Sequence, residues 1–389
     1  MPQPLRVAVV CDFRQEGWPS IDLVGAMTVR YLARYPHQRI HARPLRPPFR
    51  RRFTRLPAAG WACVSADRLL NRMFDYPRYL RRMHERFDLF HIIDHSYSHL
   101  LHELPRGTAA VTCHDLETFR CLLEPDRQPR SLPFRAMTRR ILDGFGRAAV
   151  VLCVSDSTRA EVLRNSLAPA ARLTTVYHGV HPSFGVQADP RAQAQVDRLL
   201  GPAADHPYLL HVGSTSARKR VDILLRIVAG LRRRWPDLRL VRVGGPFTPA
   251  QVRLRDELSL KEAVVVLPRL TTAILAAIYQ RAVLTLLTSD YEGFGLPLIE
   301  SQACATPVVA SDLPVCREIG GPAAHYCKAA EVESWVEEVD GILVERAEYP
   351  QRWQARREAA RSWSRSFTWE RCAAQTLAEY EKLAPALIH

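Results

Sequence analysis

Lysine is almost missing from this sequence, with four residues against 50 arginines in a chain of 389. That bias explains the choice of cation but not where the cations fall. Long apolar runs are missing as well. The longest, Ala148–Val154, has the length of a strand, whereas a membrane-crossing helix needs about 20 apolar residues. The apolar start, Leu5–Cys11, runs straight into Asp12 and Arg14, so it reads as a first buried strand and not as a secretory leader. The nine cysteines include no C-x-x-C pair, which excludes the common spacings of zinc sites and disulfide frameworks. The cytoplasm is the expected compartment. No D-x-D motif occurs, and the cluster Asp94-His95-Ser96-Tyr97-Ser98-His99 offers two histidines near one acid without a third ligand. No metal and no cofactor are expected.

The length suits two domains, and hydrophobic residues at 47% with charged residues at 24% match a globular protein. The net charge of +14 is unevenly placed. Residues 1–180 carry 28 Arg and 16 acids, a balance of +12, while residues 181–389 carry 26 basic and 24 acidic residues, only +2. Such asymmetry suggests an anionic partner for the first half. Strand-like runs at Arg6–Cys11, Leu89–Ile93, Ala109–Cys113, Ala149–Val154 and Leu173–Val176 alternate with helical stretches such as Ser20–Tyr35 and Arg135–Gly144. A second set follows at Tyr208–Gly213, Arg239–Val243, Val264–Leu267, Val283–Leu287 and Pro307–Ala310, after a polar hinge near 181–205. Alternation of this kind predicts an α/β protein with parallel sheets, whose ligands sit at the carboxyl ends of the strands. The segment Pro44–Pro57, with four prolines and five arginines, reads as a basic surface loop.

Two stretches carry chemistry. In Glu292-Gly293-Phe294-Gly295-Leu296-Pro297-Leu298-Ile299-Glu300, two carboxylates flank a glycine turn with proline just inside a helix start, where proline is favoured. Glu292 is expected to project from the turn, and Glu300 to accept hydrogen bonds from vicinal hydroxyls. In His211-Val212-Gly213-Ser214-Thr215-Ser216-Ala217-Arg218-Lys219-Arg220, a strand ends at a glycine and cations gather before the next helix. Cations are disfavoured there, and a bound diphosphate would offset that penalty. Arg218 and Lys219 are expected to be exposed.

Together these features resemble glycosyltransferase family 4, retaining enzymes of the GT-B fold. Arg218-Lys219, Val243-Gly244-Gly245, the E-x7-E pair Glu292 and Glu300, the run Ala303–Ser311, and Glu318 with Gly320-Gly321 resemble elements of the family's second half. His114-Asp115, Val154-Ser155 and Tyr177-His178-Gly179-Val180 resemble elements of its first half. The resemblance implies two Rossmann-like domains, residues 1–183 for the acceptor and 184–365 for the nucleotide-sugar, with parallel sheets facing across a cleft. Residues 366–389 would form a helix returning to the first domain. It implies that Arg218 and Lys219 neutralise the departing diphosphate, that Glu292 and the backbone of Gly293, Phe294, Gly295 and Leu296 hold the sugar, and that Glu300 holds the ribose. Gly213, Gly244, Arg269 and Leu270 complete the donor side, with Leu267–Thr271 at the edge of the base pocket. His114 orients the sugar or acceptor, and Asp12, Trp18, Ser20, His95 and Asp115 are acceptor-side candidates.

The sequence departs from the family in several places. Asp12–Ser20 holds only Gly17 where paired glycines are usual, so Ser20 is expected to cap the following helix instead. Ser214, Ala305, His178 and His181 also depart from the family pattern. The expected reaction is metal-independent front-face transfer of a hexose from GDP-mannose or a UDP-sugar to a saccharide or lipid-linked acceptor. A sugar-nucleotide epimerase or hydrolase on the same fold is the alternative. Nucleic-acid binding is disfavoured, because the acid pair and glycine turns lie in the near-neutral half. The arginines at 43–55 and 78–86, interleaved with aromatics, suit an anionic membrane surface and peripheral attachment at the inner face of the cell membrane.

Overall fold

A computed structural model describes residues 4–34, 40–55 and 60–383. The chain divides into two units, one formed by Met1–Gly179 with Trp369–His389 and the other by Val180–Thr368. Each is built on a six-stranded sheet whose strands all run parallel. Strands buried on both faces need near-continuous apolar runs. Ala109–Cys113 and Leu284–Leu287 are of that kind, buried at every position.

The first sheet contains β1 (Leu5–Val10), β2 (Ile40–Leu45), β3 (Leu89–Ile92), β4 (Ala109–Cys113), β5 (Val150–Cys153) and β6 (Leu173–Thr175), in the order β2-β1-β3-β4-β5-β6. One core cluster centres on Phe13, Tyr76, Phe119 and Phe145. The other includes Val24, Met27 and the last helix, Trp369–Leu383, through Trp369, Leu377 and Tyr380. That helix is pinned by polar contacts as well. The Tyr380 hydroxyl lies 2.6 Å from Nδ1 of buried His91, whose Nε2 lies 2.7 Å from the Thr112 hydroxyl.

The reading of Pro44–Pro57 as a loop needs correction at its start, because Pro44 and Leu45 end β2. Among the described residues it is an edge strand that pairs only with β1, so it tolerates proline and carries a half-exposed, basic pattern. The part that follows is anchored. The Asp67 carboxylate accepts from the amides of Arg52, Phe53 and Thr54, and the Asn71 side chain brackets Arg50. Residues 56–57 lie outside the described residues, as does Tyr35 at the end of the expected first helix.

The second sheet contains β7 (Tyr208–Val212), β8 (Arg239–Val243), β9 (Val264–Leu267), β10 (Leu284–Leu287), β11 (Val308–Ser311) and β12 (His325–Cys327). Its order, β12-β11-β10-β7-β8-β9, places β7 beside β10 at the point where the winding reverses. In the first sheet the reversal falls between β1 and β3. In open parallel sheets, ligands bind outside the carboxyl ends of the strands at such switch points. Among the described residues no helix is long and apolar enough to cross a membrane.

Candidate active site

The loops leaving β7 and β10 meet at the second switch point. After β7, Ala217–Lys219 form a short 3-10 turn, Arg220 takes a left-handed conformation, and the helix Val221–Leu231 begins. After β10, Glu292 precedes Gly295, whose φ of +87° suits glycine, and the helix Leu296–Ala303 starts with proline in its first turn. The loops are stitched together. The Asp290 amide donates to the Arg218 carbonyl at 2.7 Å, and the Thr288 hydroxyl donates to the Lys219 carbonyl at 3.0 Å.

This stitching closes an ion pair. Lys219 Nζ donates to Glu292 Oε1, which also accepts from the Ser289 hydroxyl at 2.7 Å. Arg218 Nη1 contacts the Tyr291 carbonyl at 2.9 Å and Glu292 Oε2 at 3.3 Å. Burial alone would raise the Glu292 pKa, but Lys219 and Arg218 outweigh it and hold the carboxyl down at about 2. The expectation that both cations are exposed and that Glu292 projects freely is therefore corrected. The Lys219 and Glu292 side chains are 8% and 7% exposed, and Arg218 reaches 31%. Charges so deeply buried are costly unless paired or hydrogen-bonded. The third cation, Arg220, is committed elsewhere, to Asp222 and Asp290.

Glu300 is also buried, inside the helix Leu296–Ala303, where it accepts a hydrogen bond from the Tyr279 hydroxyl at 3.1 Å. Burial pushes its pKa up to about 7, against the opposing pull of that hydroxyl. Gly213 and Gly244 serve by close approach. Their amides are committed to the Val243 and Leu267 carbonyls at 2.9 and 3.2 Å. A Cβ on Gly244 would lie 2.0 Å from the Gly213 carbonyl oxygen. Gly293 and Phe294 are buried beside Glu292, and Phe294 meets Phe367 edge-on. Gly295 and Leu296 open the helix, whose first amides lack partners within it. Arg269 is exposed and Leu270 half-buried just beyond β9, before Thr271 caps the helix Thr272–Arg281.

In the first unit, Asp12 follows β1 and Asp94 follows β3, so two buried carboxyls stand at the switch point. Neither Asp12 oxygen meets a donor from another side chain or the backbone among the described residues. Burial first, and then the Asp94 charge, hold the Asp12 carboxyl well above the usual range. Although burial opposes it, Asp94 is held below that range by His95, His114 and hydrogen bonds from Asp12 and Ser96. Protonation is therefore favoured at Asp12 and ionisation at Asp94. His95 Nδ1 lies 3.4 Å from Asp94, and its Nε2 lies 3.8 Å from Asp115. His114 Nε2 lies 2.8 Å from the Ile93 carbonyl, and its Nδ1 lies 3.4 Å from His178. The fold thus gathers Asp12, His95, His114 and Asp115.

Trp18 and Ser20 are not part of that group. Trp18 is 55% exposed. The expectation that Ser20 caps the first helix is wrong, because the helix begins at Pro19 with Trp18 in the cap position and no side-chain cap. Proline at the first helical position moves the start one residue ahead of the serine. The histidines of the Asp94–His99 stretch diverge, since His99 Nε2 turns to the Arg72 carbonyl at 2.9 Å.

Sequence reasoning missed Tyr279, Ser289 and Arg242. Arg242 is a fully buried arginine in β8 that donates to the carbonyls of Gly213 and Gly245. An arginine inside a run that must be covered on both faces was the available signal.

Comparison with known proteins follows the same division. The family described as Glycosyltransferase Family 4 matches residues 6–184, and that described as Glycosyl transferases group 1 matches residues 195–361. A D-inositol 3-phosphate glycosyltransferase of Mycobacterium marinum is 31% identical over 213 residues, 52% of this chain and 44% of that protein. The match therefore spans less than half the relative's length. The sucrose-phosphate synthase of Thermosynechococcus elongatus superposes with a TM-score of 0.75 at 20% identity, covering 98% of this chain and all of the other. HepE of Anabaena, in complex with UDP and glucose, gives 0.72 at 15% identity over 96% of this chain and all of its own. With each half matched by a glycosyltransferase family and the whole chain by structures of the GT-B fold, this protein belongs to glycosyltransferase family 4.

Proposed function

We propose that the protein transfers a hexose, with retention, from a nucleotide-sugar held by the second unit to a saccharide or lipid-linked acceptor. The observation that carries this reading is the cluster of Arg218, Lys219 and Glu292 at the switch point between β7 and β10. A diphosphate needs fixed cations as its charge grows on departure, and pre-organised charge outside bulk water stabilises that state. Arg218 retains enough exposure to meet such a ligand, and Lys219, paired with the same carboxylate, is buried. The UDP and glucose of the Anabaena structure support a UDP-sugar, and GDP-mannose is the other donor considered.

Glu292 is held by its cations and is not poised as a nucleophile. A front-face displacement follows, in which the leaving phosphate accepts the acceptor's proton while Arg218 and Lys219 hold the developing charge. These side chains supply the role that a divalent cation plays in other transferases. Glu300, once ionised, would accept hydrogen bonds from the ribose. Asp12, His95, His114 and Asp115 are assigned to the acceptor side.

The first unit would attach to an anionic membrane. Trp61 is 83% exposed, Phe74 51% and Leu69 47%, and Arg51, Arg78 and Arg82 are exposed nearby in sequence. Aromatics and arginines together suit a headgroup layer. Vesicles containing anionic lipid should capture the protein at low salt and release it at high salt, because screening shortens to about 3 Å at 1 M. Equal capture by neutral vesicles would refute the attachment. Transfer itself is tested by NMR of the product. An α-linked donor must give an α-linked product, and inversion would overturn the mechanism.

A further inference from the structure

Arg242 lies within β8, with no exposure at all. A buried arginine keeps its charge only where its donors are met. Here Nη2 donates to the Gly213 carbonyl at 2.9 Å and Nη1 to the Gly245 carbonyl. The guanidinium carbon lies 5.3 Å from the centre of the Phe247 ring. Among the described residues Nε has no partner, and no carboxylate pairs with the group. Burial lowers its pKa only to about 10, so the cation persists at neutral pH. His211, on the neighbouring strand, is no counter-charge. Burial, with help from Arg242 and Lys219, pushes its pKa down to about 3 and keeps it neutral.

Placement gives this cation its meaning. Gly213 ends β7 and Gly244-Gly245 end β8, so Arg242 ties together the two turns beside the switch point. The Lys219 stem packs on the same place, since a Cβ on Gly213 would lie 3.5 Å from Lys219 Cε. The amides of Gly213, Gly244 and Gly245 are all committed to the sheet, so attraction of an anion here falls to side-chain charge. Lys219 already answers Glu292, whereas Arg242 answers no carboxylate.

We propose that Arg242 is a positioning residue of the donor site: it fixes the turns at Gly213 and Gly245 and contributes an unneutralised cation that draws a diphosphate to them. This rests on the donor-site reading above and assigns that site a buried charge beneath its turns. Direct contact with the ligand is not required, because a charge in a poorly screened interior acts over several ångströms.

The test uses the full chain, with inorganic pyrophosphate as the probe. Calorimetry on wild type, Arg242→Lys and Arg242→Met should show pyrophosphate affinity falling about tenfold in the methionine variant and less in the lysine variant. In wild type, the Arg242 Nε–H resonance should shift as pyrophosphate saturates the protein. A folded Arg242→Met variant that binds pyrophosphate as wild type does would overturn the proposal. Where that variant does not fold, the wild-type resonance decides, and a signal unmoved at saturation is equally fatal. Wild type that binds neither pyrophosphate nor UDP would instead defeat the donor-site reading itself.

Discussion

At the switch point of the first sheet stand two buried carboxyls, Asp12 held toward its protonated form and Asp94 toward its ionised form; at that of the second, Arg218 and Lys219 pair with Glu292. The two sheets share a parallel plan and place polar side chains at equivalent points, yet they solve burial in opposite ways. The first holds Asp12 toward its protonated form and histidines such as His114 toward the uncharged form. The second keeps Lys219 and Glu292 as a buried ion pair. Permanent charge suits a ligand that is always an anion, and a carboxyl held toward its protonated form suits hydroxyl groups, which both donate and accept. The fold supplies the position, and the side chains decide the chemistry.

The sharpest break in this comparison lies between two neighbours, Arg218 and Lys219. Lys219→Met leaves the buried Glu292 carboxylate to the longer contact from Arg218 at 3.3 Å, and loss of one partner from a buried pair costs about 3–5 kcal/mol of stability. Denaturant unfolding should show that loss. Arg218→Ala leaves Lys219 and Glu292 paired, so stability should change by less than about 1 kcal/mol. Turnover should nevertheless fall roughly a hundred- to thousand-fold, as when one pre-organised donor is removed. Equal stability of the two variants would mean that the ion pair is not buried in solution.

The carboxyls that are raised should oppose those that are lowered. The Glu300 pKa is raised to about 7, so its stabilising contribution is full below the ordinary carboxylate range and is lost as pH rises through about 7. Glu300→Gln removes that loss. It should melt higher than wild type at pH 8 while binding nucleotide more weakly, because an amide replaces the carboxylate proposed to accept from the ribose hydroxyls. Asp12 follows the same sign in the first unit. Its raised pKa makes stability decline as pH climbs through it, and Asp12→Asn should flatten that slope. An unchanged melting profile from pH 5 to 9 in Asp12→Asn would show that Asp12 is ionised like an ordinary surface acid. The smallest effect concerns metal. Saturating EDTA should leave the transfer rate within a factor of about two, and loss of activity restored by Mg²⁺ or Mn²⁺ would contradict charge supply by Arg218 and Lys219.

How much of this was legible depends on the range of each interaction. Strands such as Ala109–Cys113 announce themselves because both faces are covered. The edge strand Ile40–Leu45 does not, since one side of it faces no neighbour and proline is allowed. The helix start at Leu296 was readable from a glycine and a proline only two residues apart. The pairing of Lys219 with Glu292 spans 73 residues, and no local pattern reveals that two separate motifs neutralise each other. Ser20 misled for a local reason, because a proline one residue earlier displaced the helix start. Arg242 was visible in the sequence but looked like one more arginine in an arginine-rich chain.

The central claim is that the second unit holds a nucleotide-sugar through its diphosphate. Calorimetric titration of wild type and Arg218→Ala with UDP-, GDP- and ADP-sugars tests it most directly. One of these donors should bind wild type saturably, raise its melting temperature as any native-state ligand must, and lose most of its affinity in the folded Arg218→Ala variant. Failure of every donor to bind, or binding that Arg218→Ala leaves untouched, would contradict the account.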